Sequence, residues 1–173
     1  MSHAGDDGPA LLLIGCSRRK SAGLRRGRAW EIYDGPLFQV LKKALRGRPG
    51  WEASVAVLIV SARHGVIGPD RIISTYNERL TPESARRRGD FWARHLRSAV
   101  AGRIYRAVHA NLGRDYACVL PDLDELFGPA PLERAAGNIG VRNAQTRRWL
   151  LGQLGSPPGP VSGGTAPRRS RRR

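Results

Sequence analysis

The chain has 173 residues, 40% of them apolar, and a formal net charge of +16 from 30 Lys and Arg against 14 Asp and Glu. That length suits one domain rather than two, and about 150 ordered residues bury roughly two-thirds of the unfolded surface, so folding needs no disulfide framework or structural metal. Two distant cysteines, Cys16 and Cys118, the lack of a signal-like start, and apolar runs far short of the roughly 20 residues of a bilayer span together predict a cytoplasmic protein with free thiols and exclude a membrane-spanning one.

Residues 1–9 read as a flexible N-terminus. Ala10–Ile14 is a continuous apolar run stopped by Gly15, the pattern of a strand buried on both faces of a parallel sheet. Gly15 to Arg28 lacks periodicity and reads as a loop. Pro36 opens a predicted helix to about Leu45, with Leu37, Val40, Leu41 and Ala44 on its apolar face, and Gly47 to Gly50 ends it. Val55 to Val60 is the second buried strand, followed by the loop Ser61 to Gly65. Thr81 and Pro82 start a helix expected to run unbroken to about Ala101, with Phe91, Leu96 and Val100 inward and a solvated arginine face.

Ile104 to Ala110 is a weaker third strand with Asn111 to Gly113 as its exit turn, and Arg114 to Leu120 a short helix that Pro121 interrupts. After a Pro-rich connection, Gly140 leads into a helix to about Leu154, with Val141, Ala144, Leu151 and Leu154 inward. Residues 155–173 hold Gly, Pro, Ser and Arg with almost nothing to bury, so a disordered arginine-rich tail is expected beyond a domain at 10–154.

Alternating strands and helices predict an α/β domain with a mostly parallel sheet, whose ligand binds beyond the carboxyl ends of the strands at a switch in strand order. Two loops fall at such ends. In Gly15-Cys-Ser-Arg-Arg-Lys20, Gly15 permits close backbone approach, Ser17 offers a hydroxyl, and Arg18, Arg19 and Lys20 bring charge: the chemistry of an anion cradle, though without Walker A spacing. Cys16 reads either as a thiolate nucleophile beside arginines or as a small buried hydrophobe. In the second loop His64 reads either as a general acid or base or as a ligand of its own backbone. No histidine stands at metal-ligand spacing from a cysteine, so no metal and no cofactor is expected.

The positive charge is nearly all arginine, whose planar fork grips two phosphate oxygens at once. Codon bias is the bland account. Taking away the tail's Arg168, Arg169, Arg171, Arg172 and Arg173 still leaves +11 on the rest, which favours a phosphate-bearing partner such as nucleic acid or a nucleotide.

Several motifs taken together resemble a known family. Gly15-Cys-Ser-x-x-Lys20, Tyr33-x-Gly-Pro-Leu-Phe38, Leu58-Ile-Val-Ser-Ala-x-His-Gly65, Pro69-Asp70, Tyr76 and Gly137-Asn-Ile-Gly140 are similar to the small bacterial and phage domain of unknown function related to the YaaA-like peroxide-stress proteins, over about Leu11 to Leu151. The resemblance implies a single Rossmann-like three-layer domain, DNA binding, and company with enzymes of tRNA and DNA base modification. The extra Arg18-Arg19 pair and the polar Arg106-to-Gly113 segment depart from its pattern. Carried over residue by residue, it implies a pocket built from Cys16, Ser17, Lys20, Tyr33, Gly35, Ser61, His64 and Tyr76. Tyr33 and Tyr76 read either as base-stacking platforms or as core tyrosines. Gly140 and Arg142 open a helix whose amides either hold a phosphate or merely start a helix.

Three functions stay in play. The first is a nucleic-acid- or nucleotide-directed enzyme acting on a base or its N-glycosidic bond, with His64, Ser61 and Cys16 as catalytic candidates. The second is a non-catalytic DNA- or RNA-binding protein. The third is an enzyme for a small phosphate-bearing ligand.

Overall fold

The computed structural model describes residues 8–155. The proposed tail, with Arg168 to Arg173, lies outside the described residues, as does nearly all of the N-terminal segment.

Strand β1 (Ala10–Gly15) is central in a five-stranded sheet with β3 (Val55–Ser61) on one side and β6 (Val108–Asn111) on the other, both parallel to it. Its side chains alternate between faces as a pleat requires. Ala10, Leu12 and Ile14 enter one apolar cluster, Leu11 and Leu13 the other. The outer strands are short: β7 (Leu132–Arg134) runs parallel to β6, while β4 (Gly65–Ile67) turns back antiparallel along β3. The spatial order is therefore β4-β3-β1-β6-β7. This is an α/β domain with a mixed but mostly parallel sheet, flanked by helices in a Rossmann-like three-layer arrangement.

The first face of the sheet carries α2 (Pro36–Leu45) and α7 (Ile139–Leu154); the second carries α4 (Phe91–Val100). Pro36 sets the first turn of α2, as expected; of the expected face Leu41 is buried and Leu37 and Ala44 pack against the core, while the fully buried stripe also takes in Phe38 and Leu45 and leaves Val40 aside. A two-stranded ribbon of β2 (Arg26–Arg28) and β5 (Ile72–Ser74) covers the α2 side with Ile73, so the segment read as featureless loop contains a strand. Short α1 (Ala29–Ile32) follows β2 directly.

Three further expectations need correction. The helix after Thr81 is two helices, α3 (Pro82–Arg88) and α4, because Gly89 at φ +55° takes a conformation that side chains disfavour and ends α3 there. The third strand starts four residues later than Ile104, which is 71% exposed. Helix α7 buries Asn143, Thr146, Trp149 and Leu150; of the expected inward residues Leu154 packs against the core and Leu151 is half-buried, while Val141 and Ala144 are exposed. A search for an apolar stripe selects the wrong face there, because the buried face is half polar. Short α5 (Arg114–Ala117) and α6 (Leu123–Phe127) complete the run from β6 to β7.

No helix among the described residues is long and apolar enough to cross a membrane.

Candidate functional site

After β1 the chain crosses to β3 on one side and then returns to β6 on the other, so strand order switches at the carboxyl ends of β1 and β6. A crevice is expected there, and the structure has one of about 640 Å³. Gly15, Cys16 and Ser17 form its floor, Leu37 and Phe38 of α2 one apolar wall, Tyr116 of α5 and Ile139 of α7 the other. Arg18, Arg19, Arg142 and Asn111 supply its polar groups.

The β1 loop keeps its shape through Ser17, whose hydroxyl donates to the Arg19 carbonyl at 2.6 Å and accepts the Gly35 N–H at 3.1 Å. A Cβ on residue 35 would press into the Ser17 side chain, which explains the glycine before Pro36. The Ser17 hydroxyl thus ties the loop to α2 and does not stand free for an anion. Of the two loop arginines, Arg19 is paired with Asp34 at 3.1 Å, and its hydrogen bond holds that carboxyl below the usual range. Arg18 has no carboxylate partner among the described residues.

Across the cleft, Arg142 is held from behind. Its Nη2 donates to Asn111 Oδ1 at 2.6 Å, Asn111 Nδ2 donates to Thr146 Oγ1 at 2.8 Å, and Thr146 meets His109 Nε2 at 3.0 Å. His109 stacks on Trp149, and its desolvation lowers the imidazole pKa to about 4, so it is neutral at pH 7. This chain of four side chains fixes one edge of the guanidinium, while the buried Arg142 Nε has no partner. Gly140 is not in the cleft wall. The start of α7 is capped by Asn138, which accepts the Val141 N–H.

Behind Cys16 lies a closed cluster of hydroxyls. Tyr33 donates to Ser61 Oγ at 3.2 Å and lies 2.7 Å from the Tyr76 hydroxyl, which is 2.8 Å from Ser61 Oγ and donates to Cys16 Sγ at 3.6 Å. Cys16 Sγ also shares a 3.1 Å hydrogen bond with the Tyr116 hydroxyl. Burial pushes the Tyr33 hydroxyl up to about 12 and raises Tyr76 and Tyr116 as well, so all three stay protonated. Tyr33 and Ser61 are fully buried. Tyr33 therefore cannot stack on a base, and Ser61, which also accepts the His64 N–H, is spent on holding its loop.

The structure thus gathers Gly15, Cys16, Ser17, Gly35, Arg18, Arg19 and Arg142 at the cleft, with Tyr33, Ser61 and Tyr76 packed behind it. Lys20 and His64 both stand against Tyr76, the ammonium 4.2 Å from the ring centre and the imidazole edge-on at 5.3 Å, outside the cleft wall. Burial lowers the Lys20 pKa, and burial together with Arg63, Arg71 and Arg88 lowers that of His64. Asn111, Tyr116, Thr146 and Asn143 escape the sequence reading. One signal for them was present, since His109 and Asn111 are two apart in a strand and so point to one face, which requires a polar helix opposite.

The model of the family of unknown function DUF6884 matches residues 11–125. The chain belongs to that family. The matched span holds β1 from Leu11 onward, the first loop, β3, Tyr76, Asn111 and Tyr116, while Ile139, Arg142 and Asn143 of the far cleft wall lie beyond it. No curated protein and no solved structure matches the chain.

Proposed function

We propose that this DUF6884 member is a nucleotide-directed protein whose switch-point cleft takes one nucleotide, free or as part of a nucleic acid. What supports the reading is the pairing of apolar and aromatic walls, of a size that accepts a base, with a guanidinium whose free edge is presented by Asn111. The resemblance of the motifs to the YaaA-like peroxide-stress proteins belongs to the same proposal. Any chemistry on the base or its N-glycosidic bond then falls to groups at the cleft, Cys16 and Tyr116, rather than to His64.

Calorimetric titration with nucleoside monophosphates tests it. The expected result is saturable binding that Arg142→Ala weakens at least tenfold, with inorganic phosphate binding far more weakly than the nucleotide. Absence of nucleotide binding, or binding indifferent to Arg142→Ala, overturns it. Equal binding of bare phosphate would instead favour a small phosphate-bearing ligand.

A further inference from the structure

The loop Ser61–Gly65 lies at the carboxyl end of β3, on the opposite side of β1 from the cleft, and it is unusually well fastened. Trp92 Nε1 donates to the Ser61 carbonyl at 2.8 Å, and Arg88 donates to the carbonyls of Ala62 and Arg63 at 2.8 and 3.1 Å. Arg88 itself is stacked 3.6 Å over the Phe91 ring. Gly65, at φ +79°, leaves room only for the His95 imidazole, with which any Cβ there would collide.

The loop borders two hollows of about 300 and 360 Å³ that share His64 and Arg71. Arg26 from the β2 ribbon and Arg63 complete the first, and His95 borders the second. Among the described residues Arg19, Arg28, Arg94 and Arg134 are each paired with a carboxylate, while Arg86 and Arg97 are unpaired on the surface; what sets Arg26, Arg63 and Arg71 apart is that all three line one hollow with His64. Arg26, Arg63 and Arg71 have neither a carboxylate within 4 Å nor a side-chain hydrogen bond among the described residues. Glu78, the carboxylate whose charge acts on His64, is already engaged by Arg88. His64 Nε2 is buried without a partner. Three unneutralised guanidiniums converge in one groove beside His64, and each of them gains from an oxyanion.

Tyr76 joins this groove to the cleft. Its ring meets His64, Arg63 at 5.9 Å and the Lys20 ammonium, while its hydroxyl reaches Cys16 on the cleft floor. Positive charge therefore runs along the carboxyl edge of the sheet from Arg71 through Lys20 to Arg18. We infer that the groove of Arg26, Arg63 and Arg71 around His64 is a binding site for the phosphodiester backbone of a nucleic-acid strand. The nucleotide in the cleft would then belong to a polymer; this last step rests on the reading of the cleft, whereas the groove stands on its own geometry.

The test compares the full chain with its Arg63→Ala/Arg71→Ala variant in fluorescence anisotropy with a labelled single-stranded 12-mer. Each phosphate contact on a single strand contributes about −0.7 to the slope of log affinity against log salt. The double variant is expected to bind at least tenfold more weakly at about 0.1 M salt, with a slope shallower by about 1.4. A control removing the same charge elsewhere, Arg86→Ala/Arg97→Ala, should bind within twofold of the parent. The inference is overturned if the parent does not bind the oligomer, if the groove variant binds as the parent does, or if the control loses as much. Mononucleotide titration separates the two readings. Its loss in the parent ends the cleft proposal and leaves the groove to the anisotropy, while intact mononucleotide binding in the groove variant shows that the two sites are distinct.

Discussion

The two faces of the sheet are built by opposite rules. Under α4 the contact is hydrocarbon and one indole: Trp92, Leu96 and Val100 sit on Leu11, Leu13, Val60 and Val108. Under α7 the outer half is also apolar, through Trp149 and Leu150, but the half nearest the carboxyl edge is the relay from His109 through Thr146 and Asn111 to Arg142. The cleft opens beside the relay. Apolar packing is non-directional and closes on itself, whereas a hydrogen-bonded row fixes distance and direction and so can hold a charged group at a rim. One face supplies stability and the other aims a side chain.

Three experiments would break or sharpen this contrast. The largest effect is expected from Trp92→Ala, which removes a fully buried side chain and strands the Ser61 carbonyl. Denaturant unfolding should show a loss of about 3–5 kcal/mol, with nucleotide affinity of the folded fraction unchanged. A loss under about 1 kcal/mol would mean that face is not the stabilising one.

Next comes His109, whose folded pKa of about 4 lies below its ordinary 6.5. The unfolded state then binds more protons between those values, so this contribution to stability is intact above pH 6.5 and lost as pH falls toward 4. It amounts to roughly 3 kcal/mol. His109→Gln should flatten this part of a stability-against-pH curve, and an unchanged slope would show that the ring is not buried neutral.

The smallest effect on stability is expected from Thr146→Val, about 1–3 kcal/mol for the orphaned Asn111 and His109 groups. This variant should also weaken nucleotide binding several-fold by freeing Arg142. Wild-type affinity in titration would separate the relay from the cleft.

How far the sequence spoke follows from the same contrast. Continuous apolar runs marked β1 and β3 to within a residue and Pro36 marked α2; the βα alternation pointed to the carboxyl edge and to the first loop, but paired that loop with Ser61–Gly65, whereas the cleft opens toward β6. Helix α7 was placed by Gly140 and its apolar spacing, but its first half was turned to the wrong side, since the inner face there carries Asn143 and Thr146. Three-residue strands such as β4, β5 and β7 exist only through pairing and leave no periodic trace. Cys16 was singled out in the first loop and Arg142 at a helix opening, yet nothing local distinguished them from Ser17 and Tyr33, whose polar atoms the fold consumes internally. Arg63 and Arg71 looked like two of many arginines until the loop and the ribbon brought them together.

The bond from the Gly35 amide to the Ser17 hydroxyl has a mechanical consequence. With no space for even a methyl group between them, the turn after β1 and the start of α2 form one rigid corner and not a hinge and a flap. A guest entering the crevice meets a doorway already standing open, so little chain entropy is surrendered at docking, and discrimination between guests rests on the shape of the opening.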